Sequence, residues 1–295
     1  MMTKPAYMLK LGNGSGRLIK STLDTISWVE KFAAIMELKA NGRDRRSNCP
    51  GIFFVRRGAG KDGFPEIDEN FPESGWKSHD FRALRFWSHR TVSDIICEIG
   101  DECSHELDIV RMWTSLYIIY LQMMDSGGLP VHAALIEIDG KGILIAGPGG
   151  SGKSTLCRRL PRSWHALSDD QSLIVRDDRK GYLAHPIPTW SDYLWQQSER
   201  RWNVERCAPL TAIFFIEQAE SEEAVPIGQG QAAVFINRSS TEVCRPIWRN
   251  LNAEEEGEIK KKIFDNACKL ARAVPAYILR LSRDGRFRDE IEKVL

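Results

Sequence analysis

The sequence predicts an α/β fold. Short apolar runs bounded by turn signals read as strands, and longer segments with apolar residues at helical spacing read as helices. One glycine-rich loop lies between a run of the first kind and a segment of the second. The chain has 295 residues, room for one large domain or two modest ones at roughly 150 residues each. With 42% hydrophobic and 27% charged residues it has the composition of a globular protein that builds its own core, without a metal or disulfide staple. It carries 41 Lys+Arg against 40 Asp+Glu, a formal charge of +1. That balance argues against coating nucleic acid or an anionic membrane, either of which needs clustered excess cations.

The opening MMTKPAYMLKLGNGSGRL has no continuous apolar run and no cleavage pattern, so no secretory signal is expected. The most apolar stretch outside the glycine-rich region, Leu116 to Met124, contains Gln122 and is far shorter than the ~20 residues that span a bilayer. Seven cysteines (Cys49, Cys97, Cys103, Cys157, Cys207, Cys244 and Cys268) are odd in number and form no CxxC pair. Reduced thiols and a cytoplasmic location follow. Cys97, Cys103 and His105 lie close together, but C-x5-C-x-H matches no common zinc spacing and lacks a second pair, so no metal is expected there.

Residues 1–103 read as an α+β region without repeats or low-complexity segments. Leu18 to Leu38 carries apolar residues at mixed spacing, ANGRDRRSNCPG is a polar loop, and GIFFVRR is a short strand. RRGAGKDGFPEIDENFPESGW is a long loop, and DFRALRFW reads as one strand. From Ser104 to Asp125 the spacing is helical, with Ser104 at the N-cap position and Glu106 in the first turn. SGGLP ends that helix. HAALIEIDG and KGILIAG are strands joined at Asp139-Gly140, a hairpin signal. GPGGSGKST and a helical LCRRL follow. LIVRDDRKGYLAHP reads as a hairpin around Asp178 to Gly181, LTAIFFIEQ as a buried strand, and AAVFINRSS as a further apolar segment. Glu254 to Val274 is a helix ending before Pro275, AYILRLSR a strand, and FRDEIEKVL a terminal helix. Hairpins flank the glycine-rich loop, which departs from strict βαβ alternation.

Gly147-Pro148-Gly149-Gly150-Ser151-Gly152-Lys153-Ser154 fits G-x-x-x-x-G-K-[ST] in full. Glycines let successive N–H groups converge on phosphate oxygens. Lys153 supplies a charge between the β and γ phosphates, and the Ser154 hydroxyl can ligate Mg²⁺. The strand GILIA before the loop and the helix that Thr155 opens complete the strand-loop-helix context of a nucleotide site. Gly147, Gly149, Gly150, Ser151, Gly152, Lys153, Ser154 and Thr155 are therefore the expected cradle for ATP or another nucleoside triphosphate. Cys157, in the first turn of that helix, is read as packed rather than reactive.

Asp169-Asp170 follow Ala166-Leu167-Ser168 shortly after the cradle. One carboxylate of such a pair can take the proton of an attacking hydroxyl and the other can hold Mg²⁺, although a turn pair or helix cap has the same composition. Asp177-Asp178, before Arg-Lys-Gly, is assigned to a solvated turn. His132, in Pro130-Val131-His132-Ala133-Ala134-Leu135, precedes the cradle, where a histidine is ordinarily a satisfied core residue.

V-H-A-A before a P-loop and L-S-D-D after it, in that order, resemble the bacterial HPr kinase/phosphorylase superfamily. The likeness is clear over roughly Leu129 to Leu173 and loose beyond. It implies a phosphoenolpyruvate-carboxykinase-like P-loop domain, a mixed sheet with flanking helices over residues 104–295. It also implies Mg- and ATP-dependent transfer of phosphate to a Ser or Thr hydroxyl of a peptide or small protein. By position, Lys153 would bind phosphates, Ser154 and Asp170 would serve the metal, Asp169 would be the general base, and His132 a polar partner of the reacting phosphate. The family's L-E-x-R-G-x-G signature is absent here, which removes the ground for a phosphorylase half-reaction and leaves a second acidic metal ligand unassigned. HPIPTWSDY stands in its place and looks more like the ScmC protein of the SynChlorMet cassette, which works beside radical-SAM enzymes, and like lasso-type precursor-peptide kinases.

The HPIPTW segment reads equally as a lip for peptide or adenine with an exposed Trp190 and as a rigid crossover with Trp190 packed. Arg238 and Arg245 are candidate transition-state cations. Residues 1–103 are assigned substrate recognition or oligomerisation by position alone. A precursor peptide or small protein is the expected partner, neither nucleic acid nor membrane is, and a homo-oligomer is left open. A non-catalytic nucleotide-gated scaffold and a small-molecule kinase or NTPase are the rival functions.

Overall fold

The computed structural model describes residues 5–41, 49–58, 67, 71–81, 83–102, 104–196, 198–248, 251–282 and 285–295. The protein is α/β, with mixed sheets and flanking helices. Its chain forms two compact units, one of residues 1–118 and 190–203, the other of residues 119–189 and 204–295.

In the first unit, β1 (Ala6–Lys10), β2 (Gly16–Ser21), β3 (Lys39–Asn41), β4 (Gly51–Arg56), β5 (Trp76–Phe81), β6 (Leu84–His89) and β7 (Ile95–Ile99) make a seven-stranded sheet among the described residues, in the order β3-β1-β2-β4-β7-β6-β5. β2, β4 and β7 run parallel at its centre and the rest of the pairings are antiparallel. The continuous apolar run of β4 follows from burial on both faces. Phe54 meets Trp28 of α1 (Ile26–Ile35), ring centroids 4.9 Å apart, while Phe53 and Val55 pack with Trp87 and Ile96. DFRALRFW is not one strand: Asp80–Phe81 end β5 and Leu84–Trp87 begin β6, antiparallel partners with Phe81 opposite Leu84. The expected helix is present as α2 (His105–Asp125), and Ser104 Oγ accepts from the Leu107 N–H at 3.1 Å, as an N-cap does.

The second unit contains β8 (Leu129–Val131), β9 (Ala133–Ile138) and β10 (Lys141–Ala146), then α3 (Lys153–Arg158). β11 (His165–Ser168), β12 (Gln171–Asp177) and β13 (Gly181–Ile187) follow. α4 (Trp190–Gln196) belongs to the first unit. β14 (Ala208–Gln218), β15 (Glu223–Pro226), α5 (Gln229–Trp248), α6 (Ala253–Ala273), β16 (Ala276–Leu281) and α7 (Phe287–Glu292) complete the second. The strands run β11-β9-β10-β14-β13-β12-β8, with β16 also on β14 and β15 on β16. β14 is the spine: it pairs antiparallel with β13 over Ala208–Pro209, then runs parallel to β10 and to β16. Alternation along it sets the two faces. Phe214 enters a core with Ile143, Ile145, Leu279 and the α7 residues Phe287 and Ile291, whereas Phe215 meets Phe235 of α5.

Both expected hairpins form. Asp139 (φ 49°) and Gly140 (φ 77°) turn β9 into β10 with the paired positive φ of a tight hairpin. Asp177 Oδ1 accepts from the N–H groups of Arg179 and Lys180, which holds its carboxyl below the usual range and makes this acidic pair a solvated turn. AAVFINRSS lies inside α5. The α6 helix opens with a capping box, in which the Asn252 side chain accepts from the Glu255 N–H. Buried Asn266 on α6 donates to the carbonyls of Met124 (2.7 Å) and Gly128 (3.2 Å), tying that helix to the segment leading into β8. No helix among the described residues is long and apolar enough to cross a membrane.

Asn266→Ala, which removes two buried hydrogen bonds, should cost about 2 kcal/mol of stability. Lys262→Met, which removes an exposed ion pair with Asp125, should cost less than about 1 kcal/mol. Urea unfolding measures both, and an Asn266 variant as stable as the Lys262 variant would contradict this anchor.

Candidate active site

The glycine-rich loop leaves the C-terminal end of β10 and enters α3 at Lys153. Gly152 (φ 106°) takes a conformation that side chains strain to adopt. A Cβ on Gly147 would stand 2.6 Å from Ser151 Oγ, so any side chain there would force Ser151 to move. Lys153 is buried and its Nζ donates to the carbonyls of Gly147 (2.7 Å) and Pro148 (3.3 Å). Burial pulls its pKa down, against the opposing pull of Asp170 and Glu242. Ser154 and Thr155 are exposed at the start of α3. Two features fit a polyphosphate: Ser151 Oγ is buried without a hydrogen-bond partner, and Cβ atoms built on Gly149, Gly150 and Gly152 meet nothing within 4 Å.

His132 stands at the bend where the chain leaves β8 for β9. Its backbone is fixed to α5 by two hydrogen bonds, from its N–H to Ser239 O (3.4 Å) and from Ser239 Oγ to its own carbonyl (3.2 Å). Its ring bridges two carboxylates, Nε2 to Asp170 Oδ1 at 3.1 Å and Nδ1 to Glu242 Oε2 at 2.9 Å. Ionised carboxylates only accept, so both ring nitrogens must donate and the bridging form is the imidazolium. The Asp170 hydrogen bond raises the pKa of His132, burial opposes it, and the Glu242 bond raises it further.

Asp169 and Asp170 form the bend between β11 and β12. The bend is pinned beside His132 by buried serines: Ser168 Oγ lies 3.0 Å from Ser172 Oγ, which donates to Ala133 O at 2.9 Å. Asp170 faces His132, while Asp169 accepts a hydrogen bond from Thr189 Oγ1 at 2.8 Å. The HPIPTW segment is structural at both ends: His185 is fully buried and hydrogen-bonded to Val204 O, and Trp190 is 2% exposed. Trp190 is therefore packed, the second of the two readings of that segment. Cys157 is half-buried against the core with Leu156 and Trp164. Arg238 is exposed and lies 3.6 Å from Glu242, and Arg245 is exposed farther along α5. Of the three residues weighed as a metal site, Cys97 is buried on β7, His105 contacts Tyr193 O, and Cys103 lies outside the described residues.

Glu242 is the site residue that sequence reasoning misses. It is one acidic residue on a long helix, brought to His132 from 110 positions away. No local motif surrounds it; only the pairing of Ser239 with the His132 backbone, three residues earlier on the same helix face, marks it.

The model of the SynChlorMet cassette protein ScmC family matches residues 95–295. The chain belongs to the ScmC family. It is also similar to an HPr kinase/phosphorylase of Geobacillus sp. (strain WCH70), 31% identical over 75 residues. That match covers 25% of this chain and 24% of the relative, so the chain spans about a quarter of the length of the curated protein it matches. In this ScmC family member the cradle, the Asp170 carboxylate and the His132 ring all come from the matched residues.

In the nucleotide-free protein, NMR of the ring should show His132 titrating above the ordinary histidine value of 6.5, with Asp170→Asn and Glu242→Gln each lowering it. A raised pKa means that the bridge is complete below the ordinary value and fades as pH climbs through the residue's own. Titration at or below the ordinary value, unmoved by Glu242→Gln, would contradict the bridge.

Proposed function

We propose that this protein is a Mg- and ATP-dependent kinase that transfers the γ-phosphate to a Ser or Thr hydroxyl of a precursor peptide or small protein in modified-peptide biosynthesis, and that it works in the cytoplasm. The observation that carries the reading is the convergence of His132 and Asp170 on Lys153 of a complete P-loop. Kinship with an HPr kinase/phosphorylase and membership of a family named for a cassette support it. On this reading residues 104–295 form a phosphoenolpyruvate-carboxykinase-like P-loop domain. Residues 1–103 serve substrate recognition or self-association.

The cradle of Gly147, Gly149, Gly150, Ser151, Gly152, Lys153, Ser154 and Thr155 holds the triphosphate, and Ser154 with Asp170 would hold Mg²⁺, whose charge offsets that of the phosphates. Lys153 exchanges the loop carbonyls for phosphate oxygens. Asp169, held by Thr189, takes the proton of the acceptor hydroxyl as it attacks in line. His132 keeps Asp170 aimed at the cradle through its second anchor on Glu242. Positioning and charge neutralisation then supply most of the rate.

Radiolabelled ATP offered with a cognate precursor peptide should label a Ser or Thr. Asp169→Asn should lower transfer by about a thousandfold while nucleotide affinity changes by less than about threefold. Lys153→Ala should weaken ATP binding by at least about tenfold, read by calorimetry. Full transfer by Asp169→Asn overturns the mechanism; ATP-dependent peptide capture without transfer would select a scaffold instead.

A further inference from the structure

A cavity of about 270 Å³ opens at the C-terminal ends of the parallel strands β10 and β14, beside Ile278 of β16, where open α/β sheets place their ligands. Phe215, Ile216 and Ile278 floor it, and Phe235 of α5 closes one side, its ring 5.0 Å from that of Phe215. The start of the cradle, Gly147 and Pro148, also lines it. Charge is confined to Glu217, Arg238 and Glu242. An enclosed apolar space of about 150 Å³ is enough for a benzene ring, so a leucine or phenylalanine side chain fits here.

The cavity lies at one identifiable end of the cradle. A triphosphate is linear, and the P-loop lysine marks its β/γ end. Lys153 Nζ rests on the carbonyls of Gly147 and Pro148, the wall that the cavity shares. Glu242 likewise belongs both to the lining and to the His132 bridge. Through Glu242 the cavity adjoins the His132–Asp170 bridge, the side of the cradle on which the kinase reading places the γ-phosphate and the entering acceptor. Its lining agrees. A nucleobase carries several polar edge atoms that lose their hydrogen bonds against Phe215, Ile216 and Ile278. The lining hydroxyl, Ser239, already donates to His132 O.

We infer that this cavity is the acceptor subsite, and that it takes an apolar side chain, aliphatic or phenyl, from the residue adjacent to the phosphorylated Ser or Thr. This rests on the kinase reading and adds a specificity to it: the hydroxyl is presented from an apolar neighbour, not from an acidic or basic one. Phe215, Phe235 and Ile278 are the residues that select the side chain.

The test is ligand-observed NMR of acetyl-X-Ser-X-amide peptides, with X as Leu, Phe, Ala, Asp or Lys, titrated into the full chain with Mg²⁺ and a non-hydrolysable ATP analogue. Leu and Phe peptides should bind at least about tenfold more tightly than Asp or Lys peptides, as burial of one apolar side chain requires. Ile278→Phe, which fills the cavity, should abolish the preference for Phe and leave Ala peptides unaffected. Ile278→Ala should widen it, favouring Phe further. General destabilisation cannot move the preference in opposite directions, and either variant alone decides the point if the other fails to fold. No binding, equal binding for every X, or a tenfold loss of analogue affinity in Ile278→Phe overturns the inference. Phosphate transfer from ATP is scored separately: its absence with the apolar preference intact refutes the kinase reading and the acceptor role with it, and leaves a site for an apolar side chain.

Discussion

One imidazole bridging two carboxylates is the constraint on which this site depends. His132 occupies the bend between β8, which pairs with β12, and β9, which pairs with β10. Each of its ring nitrogens ends on a different element, the β11–β12 bend through Asp170 and α5 through Glu242. A ring held at both ends cannot swing without giving up one charge-assisted hydrogen bond. The serines Ser168 and Ser172 fix the bend from below, and Ser239 fixes α5. Side chains from three separate elements thus acquire one geometry beside the cradle.

Lys153 stands among opposite charges and loop carbonyls. Asp170 and Glu242 are balanced by Lys153 and the His132 imidazolium, and the lysine satisfies itself on Gly147 and Pro148. An incoming triphosphate adds negative charge beside Asp170 and Glu242. On the proposed reading, a divalent cation on Ser154 and Asp170 supplies the offset, and movement of Lys153 from carbonyls to phosphate is the cost of loading.

What the sequence makes legible here is local. The glycine-rich loop is eight consecutive residues, each with its own chemical reason, and the expected strand before it and helix after it are both present. Ser104 as N-cap and Asp139-Gly140 as hairpin turn are equally local. DFRALRFW hides a hairpin because neither glycine nor asparagine stands between Phe81 and Leu84 to signal the reversal. Trp190 looks exposed beside two prolines, yet its burial beside Phe32 and Tyr193 is a tertiary matter. Glu242 is invisible for the same reason: its partner is 110 positions away, and helix periodicity alone does not say which acidic residue faces the site.

A crystal structure with Mg²⁺ and a non-hydrolysable ATP analogue tests most directly that cradle and bridge form one phosphoryl-transfer centre. The account predicts Lys153 Nζ moved from the Gly147 and Pro148 carbonyls to the β and γ phosphates, with the γ-phosphate facing His132 and Asp170. An analogue bound elsewhere, or seated in the loop with its γ-phosphate turned away from His132 and Lys153 still on the carbonyls, would contradict it.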